Sequence, residues 1–223
     1  MLVHCHGGCS QAAVIRALRD LGLWPEPEKG LDTRRIDREY NYTDEYGAAL
    51  YQVVRTVPKG FFQRYPDGRG GWINRKHPRQ VLYHLDEVLR AQIVFLCEGE
   101  KDADRLRESG FIATTNAGGA NAPWLPQYTE ALQGRDVILV PDSDSPGRKR
   151  VLTIARALLG RATRIRVQEV NEGKDISDWF DRGHSELELI ELIEKGKNKD
   201  GTRTGNGTGF RETVEGVGAE GQR

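Results

Sequence analysis

The sequence predicts an α/β fold: a mainly parallel four-stranded sheet with flanking helices, preceded by a small antiparallel β-rich module. Three observations carry that prediction. Ile93-Val94-Phe95-Leu96-Cys97 is a continuous apolar run, as a strand buried on both faces requires. From there on, strand-like runs alternate with helical periodicity, the pattern of a parallel sheet with crossover helices. Between residues 40 and 83, by contrast, short aromatic-laced runs are separated by turn residues. A length of 223 residues suits one substantial domain plus an accessory one.

Composition narrows the possibilities. Lys+Arg and Asp+Glu are each 33, so the formal net charge is zero. That excludes a uniformly basic nucleic-acid wrapper while leaving room for a locally basic face. No run approaches the ~20 apolar residues of a membrane helix, and the N-terminus lacks the basic-then-apolar pattern of a signal peptide. Three cysteines make an odd count, which argues against a disulfide framework and for a reducing, cytoplasmic setting.

In chain order, residues 1–24 combine a cysteine-rich start with a short helix. Ser10 suits its N-cap, Val14, Leu18 and Leu21 recur on one face, and Gly22 suits its stop. Residues 25–39 carry two prolines and mixed charge and read as a linker. The module at 40–90 opens with a hairpin, Tyr40–Tyr42 and Leu50–Val57 flanking the turn Thr43–Gly47. Phe61–Tyr65, the turn-rich Pro66–Gly71 and Trp72-Ile73 follow. In the α/β region, 91–195, a helix spans Lys101–Ser109 and stops at Gly110. Strands at Phe111–Thr114, Val137–Val140 and Arg164–Val170 join the first one. A helix at Gly147–Leu159 places Val151, Ile154, Ala155 and Leu158 on one side. Ser185-x-x-Glu188 is a capping box for the last helix. Residues 196–223 are glycine-rich and polar, a composition expected to be disordered.

Ligands of parallel sheets gather at the carboxyl ends of the strands, and three acidic clusters fall there: Glu98-Gly99-Glu100-Lys101-Asp102, Asp142-Ser143-Asp144, and Lys174-Asp175-Ile176-Ser177-Asp178. Converging carboxylates repel one another unless a cation lies between them. Oxygen-only ligands favour Mg²⁺ or Mn²⁺ over zinc, and two such ions ~3.5–4 Å apart clamp the oxygens of a phosphoryl transfer. Each cluster also has a structural reading. Asp142 to Gly147 is a good turn and helix start, with Ser145 as cap and Pro146 in the first helical position. Asp175 suits the cap of a short helix through Trp179, with Asp178 favourable to its dipole. Three clusters at successive strand ends tip the balance toward a site.

Glu98-Gly99 after a buried strand, Asp102 four residues after Glu98, and Asp-x-Asp after a later strand together resemble the Toprim domain, the metal-binding core of bacterial-type primases, type IA and II topoisomerases and some nucleases. The resemblance covers about residues 92–181. CEGEKDADRL, TTNAGGA, PDSDSPG and GKDISDW are more particularly similar to the Toprim part of phage- and plasmid-encoded primases and primase–helicases, and YNYTDEYG…LYQVVRTVPKGFFQRYPDG…GGW…VLYHL to the segment that precedes it. The resemblance implies catalytic roles for Glu98, Asp142 and Asp144, with Glu98 both a metal ligand and a group assisting proton transfer. It adds Asp102 and Asp175 to the metal-binding set. The family's second acid in the third motif falls near Ser177, so Asp178 is a displaced counterpart.

His4-Cys5-His6-Gly7-Gly8-Cys9-Ser10 followed by a short helix resembles the second half of a primase zinc-binding domain. Structural zinc takes four ligands, commonly as two pairs. The Cys-x-x-His pair that precedes this segment in relatives is not in this sequence, which implies a truncated module or a longer N-terminus. Cys5 and Cys9 therefore make an incomplete site, and Zn²⁺ is expected only with such an extension. Cys97 reads as core. Arg55, Lys59 and Arg64 are interleaved with Phe61, Phe62, Tyr65 and Trp72. They suit either a solvated face over an aromatic mini-core or, with Lys101, a surface for single-stranded nucleic acid or nucleotide. The expected activity is Mg²⁺-dependent synthesis of RNA primers from ribonucleoside triphosphates on single-stranded DNA, in a phage or mobile element. The alternatives are a Toprim nuclease and a non-catalytic accessory module. The sequence carries no Gly-x-x-x-x-Gly-Lys-Ser/Thr phosphate loop, so the helicase partner is expected to be a separate protein.

Overall fold

The structure is a computed structural model that describes residues 7–23, 35–119, 122–143 and 145–196. It divides into two compact units, residues 1–35 and 36–223. Within the first, helix α1 (Gln11–Asp20) is capped as expected, the Ser10 hydroxyl accepting from the Ala13 N–H at 3.3 Å. Gly22 turns the chain out of the helix with φ 68°. Cys9 is an exposed free thiol, whereas Cys5 lies outside the described residues, as do residue 24, residues 25–34 of the expected linker and the tail from 197 onward.

The second unit opens with four strands in the order β1-β2-β3-β4, namely β1 (Arg35–Thr43), β2 (Ala49–Val57), β3 (Gly60–Pro66) and β4 (Trp72–Ile73). β1 begins at Arg35, so it takes in positions that proline and charge content mark as linker. Its outer half is exposed and only Tyr40 and Tyr42 are buried, which hides a strand of this kind from a reading by hydrophobicity. The β1–β2 turn is held by the Asp44 carboxylate, which accepts from the N–H groups of Tyr46 and Ala48 at 2.9 and 2.8 Å. Tyr42 stacks on Tyr51 with centroids 4.6 Å apart. Both rings join a hydrophobic core that continues through Leu82 and Val88 into the second sheet.

That second sheet is parallel, in the order β6-β5-β7-β8, with β5 (Ile93–Leu96), β6 (Ala113–Thr114), β7 (Asp136–Leu139) and β8 (Arg164–Val167). Helices α2 (Leu85–Arg90), α3 (Glu100–Glu108), α4 (Pro126–Ala131), α5 (Ser145–Leu158), α6 (Ile176–Asp181) and α7 (Glu186–Gly196) surround it. α7 starts from the expected capping box, Glu188 N–H to the Ser185 hydroxyl at 3.3 Å and Ser185 N–H to the Glu188 carboxylate at 2.7 Å. The six-residue helices α2 and α4 carry too few turns for periodicity to reveal them. From β5 the chain winds outward to β6 and then returns to lay β7 on the other side of β5. The crevice above β5 and β7 is thus the point where the winding reverses, the usual place for a ligand in an open α/β sheet.

Candidate active site

Three loops meet at that crevice. Glu98 lies two residues beyond the end of β5, and its Oε2 accepts from the backbone N–H of Asp142, three residues beyond β7, at 3.4 Å. The loop after β7 is tied in turn to the loop before α6: Ser143 N–H donates to the Lys174 carbonyl at 2.9 Å and its hydroxyl to the Gly173 carbonyl at 3.4 Å. Gly173 has φ 89°, and a Cβ there would lie 2.9 Å from Asp178 Cβ and 3.2 Å from the Trp179 nitrogen. Only glycine lets this loop pack so closely on α6.

The carboxylates fall into distinct roles. Asp142 is pushed from 3.8 up to about 7 by burial first, then by the charges of Glu98 and Asp102, a hydrogen bond with Glu98, and the charge of Asp175. Asp102, on the inner face of α3, is buried, and its Oδ1 accepts from the Ser177 hydroxyl at 2.5 Å and the Ser177 N–H at 3.3 Å. Burial raises its carboxyl, and the Ser177 bond pulls it back down. Ser177 thus supplies a hydroxyl to Asp102 at the position where the resemblance leads one to expect a second acid. Asp175 caps α6, accepting from the Asp178 N–H at 2.7 Å, and Asp178 accepts from the Lys174 N–H at 3.4 Å. The structural reading of these two residues is therefore realised, with Asp175 still near enough to raise Asp142 and Asp102. Asp144 lies outside the described residues. Among the described residues no three His, Cys, Asp or Glu side chains stand together as a ready-made metal cage.

Three participants receive no role from the motifs that contain or flank them. Glu100, the second acid of the first cluster, is buried and accepts a 2.8 Å hydrogen bond from the Tyr42 hydroxyl. Burial raises the Glu100 carboxyl and drives the Tyr42 phenol far above its ordinary value. Asn116, after β6, is 1% exposed. Arg150, on α5, donates from Nη2 to the Asn116 side-chain oxygen at 2.5 Å and from Nη1 to the Gly119 carbonyl. Helical spacing could have found Arg150: positions 147, 150, 151 and 154 share one face, and all four line the crevice with Glu98 and Cys97.

The expected binding residues are dispersed. β2 pairs Gln52 with Arg64 and Arg55 with Phe61. Those two positions of β2 differ by three, so the arginines leave the hairpin from opposite faces. Arg64 is absorbed in a network, donating to Gln52 at 2.8 Å and Glu39 at 2.5 Å, with its guanidinium 4.2 Å from the centre of the Trp72 ring. Arg55 pairs with Asp37 at 3.2 Å and lies over exposed Phe61. Lys59 projects from the β2–β3 turn and Lys101 from the first turn of α3, both exposed.

No family model matches the chain, and no curated protein matches it. Solved structures do. The primase fragment of the bacteriophage T7 primase–helicase protein aligns with a TM-score of 0.53 at 24% identity, covering 70% of this chain and 62% of that one. A DNA primase domain from Pseudomonas aeruginosa aligns at 0.54 and 22%, covering 84% and 60%. The Aquifex aeolicus primase, comprising its zinc-binding and RNA polymerase domains, aligns at 0.55 and 21%, covering 83% and 49%. The chain thus spans less than two thirds of the length of each. What they share with it is the fold: an α/β unit with one parallel and one antiparallel four-stranded sheet. Among the described residues no helix is long and apolar enough to cross a membrane.

Proposed function

We propose that the chain is a primase-type Toprim protein of a phage or other mobile element, making RNA primers on single-stranded DNA with Mg²⁺ or Mn²⁺. The observation that carries this reading is the convergence of Glu98 and Asp142 across the switch crevice of a fold shared with primase structures. The donor set fits a hard divalent cation. It consists of oxygen ligands, and it includes the Asp142 carboxyl, pushed up to about 7 by its own burial and then by the charges of Glu98 and Asp102, a condition that a cation between them relieves. Glu98 and Asp142 would hold the ion, with Asp144 two residues on as a third ligand. Such an ion supplies Lewis-acid activation of a 3′-hydroxyl and neutralises charge on the phosphates.

The protein's own residues do the rest. Ser177 fixes Asp102 behind the pair, so its charge bears on Asp142 without leaving α3. The hydrogen bond between the Asp142 N–H and Glu98 sets the spacing of the two loops. Exposed Lys59 and Lys101 and the Arg55–Phe61 pair offer charge and stacking to a template or an incoming triphosphate. Cys9, an exposed thiol, would be one ligand of a Zn²⁺ site. The residues present carry no phosphate loop, so priming and not unwinding is the activity proposed for them. The test is to incubate the full chain with single-stranded DNA and labelled ribonucleotides, with Mg²⁺ or with chelator. Ribonucleotide oligomers that require both metal and template support a primase. Metal-dependent DNA cleavage without nucleotides would replace this reading with a nuclease.

A further inference from the structure

The geometry points to Arg150 as the positioning residue of this site: its guanidinium pins the Asn116–Gly119 loop to α5 and lends the Glu98–Asp142 pair a permanent positive charge that sets how tightly a divalent cation is held. The inference rests on the metal-binding reading above.

Two sets of interactions carry it. Arg150 reaches from α5 across the carboxyl edge of the sheet and forks onto the Asn116 amide oxygen and the Gly119 carbonyl. Gly118 and Gly119 both adopt positive φ, 98° and 63°, a reversal that glycine makes without strain. The same guanidinium lines the crevice beside Glu98. Glu98, Tyr42, Asp142 and Glu100 are the groups whose charges act on it from the packed elements around it. The two acceptors of the fork are neutral, so the charge still acts on the carboxylates. Guanidinium stays ionised even when desolvated, which makes it a fixed charge. A cation already in place beside a carboxylate pair weakens the hold on an incoming cation and eases its exchange, while the fork keeps the loop in register.

Charge and fork separate by substitution. Arg150→Lys keeps the charge and loses the fork, while Arg150→Gln loses both. Mn²⁺ binding to the full chain, followed by the electron paramagnetic resonance of free Mn²⁺, reads the charge. Hydrogen exchange at residues 116–119 reads the fork. Arg150→Gln is expected to bind Mn²⁺ about tenfold tighter than wild type, the scale on which one neighbouring unit charge acts at a carboxylate. Arg150→Lys is expected to bind as wild type does, and both variants to exchange faster in the loop. Tightening is the opposite of what a merely structural lesion produces. Unchanged or weaker Mn²⁺ binding in Arg150→Gln, tightening in Arg150→Lys, or loop exchange unmoved in both would overturn the inference. Should Arg150→Gln fail to fold, Arg150→Met, which also lacks the charge, takes its place in the Mn²⁺ measurement. Absence of Mn²⁺ binding in every form overturns the metal reading itself, whereas measurable wild-type binding that Arg150→Gln does not tighten overturns this inference only.

Discussion

Asp142→Asn should make the metal-free protein more stable and, at the same time, deaf to metal. Burial, Glu98, Asp102 and Asp175 move the Asp142 carboxyl from 3.8 to about 7. That is about three pH units, or ~4 kcal/mol at about 1.36 kcal/mol per unit. Asp142 is only half-buried, and solvent screening reduces the figure to about 2 kcal/mol. The folded value exceeds the unfolded one, so the cost of ionising Asp142 is absent below pH 3.8, grows as pH rises, and is complete above about 7. An asparagine amide still donates to Glu98 but never ionises. Thermal unfolding in chelator at pH 8 should therefore show Asp142→Asn melting about 4–8 °C above wild type, at 2–4 °C per kcal/mol for a chain of this size. At pH 5, where the folded-state carboxyl is more fully protonated, the gain should be clearly smaller. Excess Mn²⁺ should raise the wild-type melting temperature and leave that of the variant where it was. A variant no more stable than wild type at pH 8, or stabilised equally at pH 5, would refute the reasoning.

Other perturbations probe neighbouring parts. Ser177→Ala leaves the buried Asp102 without its 2.5 Å partner and should cost about 1–3 kcal/mol in urea unfolding. Most of that loss should vanish in an Asp102→Leu background. Tyr42→Phe strands the buried Glu100 carboxylate and should cost a similar ~1–3 kcal/mol, with a smaller loss when Glu100 is already Gln. Arg55→Ala with Lys59→Ala should weaken binding of a single-stranded oligonucleotide in fluorescence anisotropy. Its salt dependence should flatten by about 0.7 for each phosphate no longer neutralised, with the melting temperature unchanged. Arg64→Ala should instead lower the melting temperature, because Arg64 holds Glu39, Gln52 and Trp72 together.

The parts of this fold that were legible in the sequence are those where one local signal dictates one structure. β5 is a doubly buried apolar run, α7 starts on a capping box, and α6 starts on an aspartate that accepts its own helix's N–H. The acidic loops were legible for the same reason, since strand ends in a parallel sheet are where chains turn. The outer half of β1 and helices α2 and α4 were not, because neither period nor burial marks them. Within the site, Glu98 and Asp142 stand out as acids after strands. Arg150 and Asn116 do not: a basic residue within Arg148-Lys149-Arg150 reads as solvated surface until α5 is rotated to show it on the inner face. Tyr42 and Glu100 are 58 positions apart, and only the packing of the two sheets in one core reveals their pairing.

On this reading the carboxylates at the sheet edge carry metal-dependent chemistry. Primer synthesis on single-stranded DNA with labelled ribonucleotides and Mg²⁺, run beside the double variant Asp142→Ala/Asp144→Ala, tests it most directly. Template-dependent ribonucleotide products are predicted from the wild-type chain, and none from a double variant that folds normally. Products of equal yield from the folded double variant would contradict the claim.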